Sequence, residues 1–185
     1  MTLGVTAVYK LHRTPDLNYP RLLFRHPRNS AVDFPALSDY AEHGMPGTPK
    51  PFDLFVKAKR PFDAVWIGGI VGPLVSIRLR TTLEEVAGDC LEFLPLAVNG
   101  EPFWILRVVR VVDALDTQRS EIVPSVDGGV RDLEVPVWRG ERLADPMMFR
   151  IPQLPTEVWA SPGVVAAYDA SGCDGLGFYP RGAVV

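Results

Sequence analysis

A chain of 185 residues suits one domain, or one domain with a subsidiary lobe. Its 47% hydrophobic and 22% charged residues exclude collagen-like, coiled-coil and disordered chains, and 18 prolines with 16 glycines favour many short elements. The net charge of −3 is uneven: nine Lys/Arg face six Asp/Glu in residues 1–63, and ten face sixteen in residues 64–185.

That balance lacks the basic footprint of a nucleic-acid binder and leaves an acidic face compatible with a basic protein partner. An ordinary solvated surface is the plainer reading of so small a charge. Leu3–Leu11 reads as a first strand, and Met1–Lys10 lacks the basic start and apolar stretch of a signal peptide. From Thr14 to Pro61 the chain is punctuated by proline, which predicts loops and short edge strands near Arg21–Arg25 and Leu54–Lys57, with a flexible loop at Gly44–Pro51. Residues 1–63 are therefore expected to form a Pro-rich N-terminal lobe or arm, and residues 64–185 an α+β domain.

The pattern sharpens from Ala64. Ala64–Ile67 is a short buried strand ended by Gly68-Gly69. Ser76 caps a helix that ends near Gly88, with Val75, Leu79, Leu83 and Val86 on one stripe. Strands follow at Leu91–Val98 and Phe103–Val112, joined at the turn signal Asn99-Gly100; the second is apolar on both faces, as a central strand would be. Val123–Val130 reads as a loop, and Leu133–Trp138 and Met147–Ile151 as strands. Ser161 caps a second helix with Pro162 at its first position and Gly172 at its end, and Leu176–Tyr179 closes the set. Trp66, Trp104, Trp138 and Trp159 all fall in strands, where tryptophan belongs to the core or, at a rim, to an interface.

Laid over one another without gaps, Ser76, Asp89, Leu91, Phe93 and Pro95 fall on Ser161, Asp174, Leu176, Phe178 and Pro180. Leu79 and Leu83 meet Val164 and Tyr168. This predicts two copies of one capped helix–strand unit packed on a shared sheet.

Motifs of known chemistry are missing. Gly68-Gly69-Ile70-Val71-Gly72-Pro73 has neither the Lys-Ser/Thr of a phosphate loop nor dinucleotide spacing. There is no nucleophile elbow, and the histidines (His12, His26, His43) and cysteines never reach zinc spacing, so no cofactor or metal is expected. Cys90 and Cys173 read as buried free thiols. The longest uncharged run, Ala64–Ile77, is about 14 residues and broken by glycine and proline, too short to span a bilayer. A soluble, cytoplasmic protein is expected. The tract Asp113, Asp116, Arg119 and Glu121 stays open between three roles: a cap and turn with a surface Asp116–Arg119 pair, a partner contact, or an acid/base or metal site.

Several motifs in order resemble one bacterial family: Val75-Ser76 opening a helix, Leu91-Glu92-Phe93-Leu94-Pro95, Trp104-Ile105-Leu106-Arg107-Val108-Val109, Asp113-Ala114-Leu115-Asp116 and Arg119-Ser120-Glu121. Phe149-Arg150-Ile151, the Ser161-capped helix and Gly175-Leu176-Gly177-Phe178-Tyr179-Pro180 continue it. The family is immunity protein family eleven of polymorphic toxin systems, formerly a domain of unknown function, and the likeness covers about residues 65–180. Pro162-Gly163 departs from it, standing where a charged helical turn is usual. The resemblance implies a small non-catalytic protein that neutralises a cognate toxin by binding it.

The expectation is an α+β fold: a mostly antiparallel sheet, two short capped helices and a Pro-rich N-terminal extension. The expected function is toxin immunity, with Asp113, Asp116, Arg119 and Glu121 at the partner contact. The alternatives are a general protein- or ligand-binding regulatory module, and an enzyme pairing His12, His26 or His43 with Asp113 or Asp116 in one pocket.

Overall fold

The Asn99-Gly100 pair carries positive φ at both residues, 55° and 85°, the conformation that lets a two-residue turn follow the twist of its strands. It appears so in a computed structural model that describes residues 5–13, 21–22, 37, 52–58, 61–66, 72–126 and 128–185. The turn joins Leu91–Val98 to Glu101–Val108 in unbroken antiparallel register from Leu91↔Val108 to Val98↔Glu101.

In chain order the strands are β1 (Tyr9–Arg13), β2 (Arg21–Leu22), β3 (Asp53–Leu54), β4 (Val56–Lys57), β5 (Ala64–Trp66), β6 (Pro73–Val75), β7 (Leu91–Val98) and β8 (Glu101–Val108). There follow β9 (Glu121–Pro124), β10 (Val130–Val135), β11 (Val137–Trp138), β12 (Met148–Ile151), β13 (Leu154–Ala160), β14 (Leu176–Pro180) and β15 (Ala183–Val184). Helices α1 (Ile77–Ala87) and α2 (Pro162–Ser171) lie against each other. The first main sheet runs β3-β7-β8-β6-β5, antiparallel except for β3 on β7, and the second runs β12-β13-β1-β14, antiparallel throughout. The α+β architecture with mostly antiparallel sheets and two capped helices is the one expected.

The repeat seen in the sequence is real and goes further than the helix–strand unit. The offset that carries Ser76 onto Ser161 also carries β6 onto the end of β13, and Ala64↔Val75 answers Met148↔Ala160, so β5 matches the start of β12 one residue short of that offset. In the first sheet, β8 runs between β6 and β7, with Val75 opposite Trp104 and Leu91 opposite Val108. In the second, β1 runs between β13 and β14, with Ala160 opposite Tyr9 and Leu176 opposite Arg13. Leu74↔Ile105 answers Trp159↔Lys10, and Pro95↔Trp104 answers Pro180↔Tyr9, so the central strands share one register. The chain is two tandem halves, β1–β7 and β8–β14, and each lends its first strand to the other's sheet. The two units therefore do not share a sheet, contrary to expectation. Gapless comparison of one helix–strand unit with the other cannot detect a strand exchanged across the chain.

The inward faces of both sheets and both helices form one apolar cluster, including Val75, Leu79, Leu83, Leu91, Leu106, Ala160, Val164, Tyr168 and Leu176. Trp138, Phe149 and Trp159 belong to it as an aromatic group, the ring of Trp138 lying 6.0 Å from Phe149 and 4.8 Å from Trp159. A second cluster gathers Leu54, Val65, Leu74, Leu96, Val98 and Ile105 from the first sheet with Leu37 and Val56. β8 supplies both, Leu106 and Val108 to one and Ile105 to the other, as its two-sided apolar pattern implies.

Other boundaries moved. The first strand lies at Tyr9–Arg13 rather than Leu3–Leu11. β8 stops at Val108 instead of Val112, because the chain then leaves the sheet: Arg150 N–H donates to Arg110 C=O at 2.8 Å and Val112 N–H to Arg150 C=O at 2.9 Å, bridging the two sheets. The loop read at Val123–Val130 holds in its middle, but its ends belong to strands, β9 running to Pro124 and β10 starting at Val130, so it is the connection of a hairpin, with Gly128 N–H donating to Ser125 C=O. The strand read as Leu133–Trp138 divides at Pro136, which has no N–H to continue a ladder. The Gly44–Pro51 loop, Gly68-Gly69, His26 and His43 lie outside the described residues.

Candidate functional site

Ala114 and Leu115 are fully buried while Asp113 is exposed and Asp116 half-buried, so the strand exit holds its carboxylates at the surface by anchoring the residues between them. Asp116 makes the turn: its Oδ1 accepts from the N–H groups of Gln118 at 3.1 Å and Arg119 at 3.2 Å, and its C=O from the Ser120 hydroxyl at 2.6 Å. Arg119 stands 3.9 Å from Asp116 and is mostly exposed, a surface pair of small energetic weight. Asp113 takes Gln153 Nε2 at 3.2 Å and the Arg139 guanidinium at 3.2 Å. Arg139 also donates to the carbonyls of Asp113 at 3.1 Å and Leu115 at 2.9 Å, locking the exit.

Glu121, exposed, continues this surface into the β9–β10 hairpin. The hairpin is anchored by buried Leu133, whose C=O accepts from Arg181, and shows Arg131, Asp132, Glu134 and Val135 to solvent, with Val126 fully exposed at its tip. The four residues singled out in the sequence thus lie on one surface turn and the strand it enters.

The most highly organised charge lies elsewhere. Asp63, just before β5, is buried, and its Oδ1 accepts from the hydroxyl of the α1 cap Ser76 at 2.7 Å and from Arg78 Nε at 3.1 Å; Arg78 Nη2 pairs with Oδ2. Asp63 and Asp174 exchange backbone hydrogen bonds, Asp63 N–H to Asp174 Oδ1 at 3.1 Å and Asp174 N–H to Asp63 Oδ2 at 3.2 Å. Arg78 Nη2 also reaches the C=O of Gly172, at the end of α2, at 3.2 Å. Burial pushes the Asp63 carboxyl up, but the bonds from Arg78, Ser76 and Asp174 outweigh it and hold it below its ordinary value of 3.8. This arrangement ties the start of α1 to the end of α2.

At the start of α2 the parts are the same and the wiring differs. Ser161 donates to Asp145 Oδ1 at 2.6 Å, as Ser76 does to Asp63. Yet Ser161 does not cap the helix with its own side chain, as its position had suggested; Asp145 Oδ1 does so by accepting from Gly163 N–H at 2.8 Å, and Ser161 instead accepts from Met147 N–H at 2.8 Å. Gly163 is the counterpart of Arg78. A Cβ there would stand 2.5 Å from Asp145 Oδ1, which explains the Pro162-Gly163 departure noted in the sequence. Between this segment and the end of α1 lies a cleft of about 390 Å³ lined by residues that include Glu85, Gly88, Asp89, Arg110 and Met147.

Sequence reasoning missed Asp63, Arg78 and Asp145, since their partners are distant in the chain; the signal was the Arg78-to-Gly163 mismatch in the overlay. His12 packs edge-on to Tyr179 with ring centres 5.4 Å apart, and among the described residues no group of three or more His, Cys, Asp or Glu could hold a metal ion. Cys90 and Cys173 are free and buried. No described helix is long and apolar enough to cross a membrane. No curated protein matches this chain. A family model does, described as an immunity protein family (Imm11), and it matches residues 8–183, extending well beyond the span over which the sequence resemblance was read.

Proposed function

We propose, from the premise that this chain belongs to the Imm11 immunity protein family, that it neutralises a cognate bacterial toxin by direct, non-catalytic binding in the cytoplasm of the producing cell. Family membership carries this reading. The contact surface we assign is the acidic turn of Asp113, Asp116, Arg119 and Glu121 together with the β9–β10 hairpin. Three features support it: the turn is prefolded by its own hydrogen bonds, so little order is lost on docking; its carboxylates suit a basic partner; and Val126 and Val135 add exposed apolar surface beside them.

The test is co-purification with the product of the neighbouring gene, followed by affinity measurement. Charge reversal of Asp113 and Glu121 to lysine is expected to slow association and weaken binding about tenfold at low salt, with the effect fading as salt rises. Unchanged affinity at low salt removes this surface from the interface, and a toxin that neither binds nor is neutralised removes the reading itself.

A further inference from the structure

We propose that Arg181 is a positioning residue for toxin binding: its guanidinium fixes the angle at which the β9–β10 hairpin stands from the body, and so presents the hairpin to the toxin. The docking role rests on the immunity reading; the fastening of the hairpin does not.

The internal symmetry singles Arg181 out. In the first half β7 carries β3 at its edge, with Ala97 N–H donating to Phe52 C=O at 2.6 Å and Asn99 N–H to Leu54 C=O at 2.9 Å. In the second half β15 carries β11 in the same parallel way, with Ala183 N–H donating to Pro136 C=O at 3.2 Å and Val185 N–H to Trp138 C=O at 2.8 Å. Ala97 stands two residues after Pro95, but Ala183 stands three after the matching Pro180. The second half thus holds one extra residue, at Arg181-Gly182, and an extra residue in a strand re-aims a side chain. Gly182 permits it: its φ is 78°, and a Cβ there would collide with Pro136 C=O.

The re-aimed side chain goes to the hairpin. Arg181 Nη2 donates to Leu133 C=O, while its own backbone is held twice, the N–H by Val8 C=O at 2.8 Å and the C=O by Trp138 Nε1 at 2.8 Å. Leu133 is the buried residue of β9 and β10, which form a sheet of their own that no ladder among the described residues joins to either main sheet. The ladder shifts register on both sides of Leu133, whose N–H goes to Asp132 Oδ1 at 2.8 Å. A two-stranded hairpin has little stability of its own. Burial of Leu133 anchors it without direction, and a hydrogen bond from a fixed donor supplies the direction. A hairpin free to swing would have to be ordered on docking, which weakens binding.

The experiment compares Arg181→Met, which keeps the stem and loses the donor, with Arg181→Lys, which keeps a donor. In the free full chain, amide hydrogen exchange in β9 and β10 should quicken about tenfold with Arg181→Met, while β7 and β8 exchange as in wild type. Unchanged exchange in the hairpin overturns the fastening, whatever the toxin does. Toxin affinity should fall about tenfold with Arg181→Met, equally at low and high salt, and stay within about threefold of wild type with Arg181→Lys. Val126→Arg sets a repelling charge at the fully exposed hairpin tip, and in that background Arg181→Met should cost no further affinity. A loss of stability with unchanged affinity, losses that add, or no effect of Val126→Arg alone makes Arg181 merely structural and overturns its role in docking. A wild-type chain that binds no toxin ends the immunity reading and the docking role together, and the exchange measurement then still decides the fastening.

Discussion

The starts of α1 and α2 are built from related parts placed differently, for where Ser76 N–H donates to Asp63 C=O, Ser161 N–H donates to Met147 C=O, and Asp145 stands two residues earlier. Each has a serine at the cap whose hydroxyl donates to an aspartate from just before the preceding hairpin, at 2.7 Å in one half and 2.6 Å in the other. In the first half the aspartate is buried, meets an arginine and ties the two helices together; in the second it is exposed and meets a backbone N–H. Two differences, Arg78 against Gly163 and Asp63 against Met147, separate a latch between the helices from a locally closed helix start. Equivalent backbone geometry thus does not impose equivalent roles, because the side chains at matching positions decide whether a helix start is tied to the other helix.

The largest effects fall where the halves differ in bulk. Trp159 and Leu74 occupy equivalent strand positions, both fully buried. Trp159→Ala is expected to cost about 4 kcal/mol and Leu74→Ala about 3 kcal/mol, read from chemical denaturation midpoints, because the indole loses more contact and leaves the larger void. Equal costs would mean that the two halves are cored alike.

Next comes the carboxylate itself. Asp63→Asn should destabilise by about 2 kcal/mol at pH 7, since several charge-assisted bonds are lost, and Asp145→Asn by no more than about 1 kcal/mol at its exposed site. Because the Asp63 carboxyl is held below its ordinary value, its contribution is complete above about pH 4 and is lost as the pH falls through its folded value. The gap between wild type and Asp63→Asn should therefore close below about pH 4. A gap that persists in acid would assign the loss to packing instead of charge.

A smaller difference separates Tyr168 from its counterpart Leu83. The Tyr168 hydroxyl donates to the C=O of Leu176 at 3.2 Å and accepts its N–H at 3.0 Å, and burial pushes its pKa up to about 12. Tyr168→Phe is expected to cost about 1 kcal/mol. The raised pKa favours the neutral phenol, so this stabilisation is complete below about pH 10 and lost as the pH rises through about 12. An ultraviolet titration of the folded protein in which all phenols ionise near 10 would contradict it.

The smallest effects lie at the helix ends. Gly172 closes α2 with φ of 63°, so Gly172→Ala should cost about 1 kcal/mol. Gly88 follows α1 with φ of −51°, and an added Cβ would make only an ordinary contact with Glu84 at 3.9 Å. Gly88→Ala should stabilise by about 0.5 kcal/mol in the same denaturation measurement. Opposite signs at two glycines with the same apparent job would confirm that the two units end differently.

Local signals were legible wherever they were complete within a short window. The Ser76 cap with its Leu79 and Leu83 stripe, Asn99-Gly100 and Gly172 each specify their own backbone, and the elements stand where they were read. The β9–β10 hairpin was not legible, because β10 exposes nearly every residue and so lacks the alternation that marks a half-buried strand. Of the candidate contact residues, Asp116 revealed its turn through short-range bonding, whereas Arg139, which locks Asp113, comes from a distant segment.

By itself the sequence determined the class of fold, both helices, the Ser76 cap and the Gly172 end, the central hairpin and the presence of a repeat, because helix periodicity, capping and turn chemistry act over a few residues. Only the tertiary structure decided that β1 and β8 are exchanged between the halves, that Asp63 is latched by Arg78 and Asp174, and that Asp145 rather than Ser161 caps α2. Strand order, long-range ion pairs and helix caps depend on which distant segments meet, and that is settled by burying both sheets and both helices in one common core.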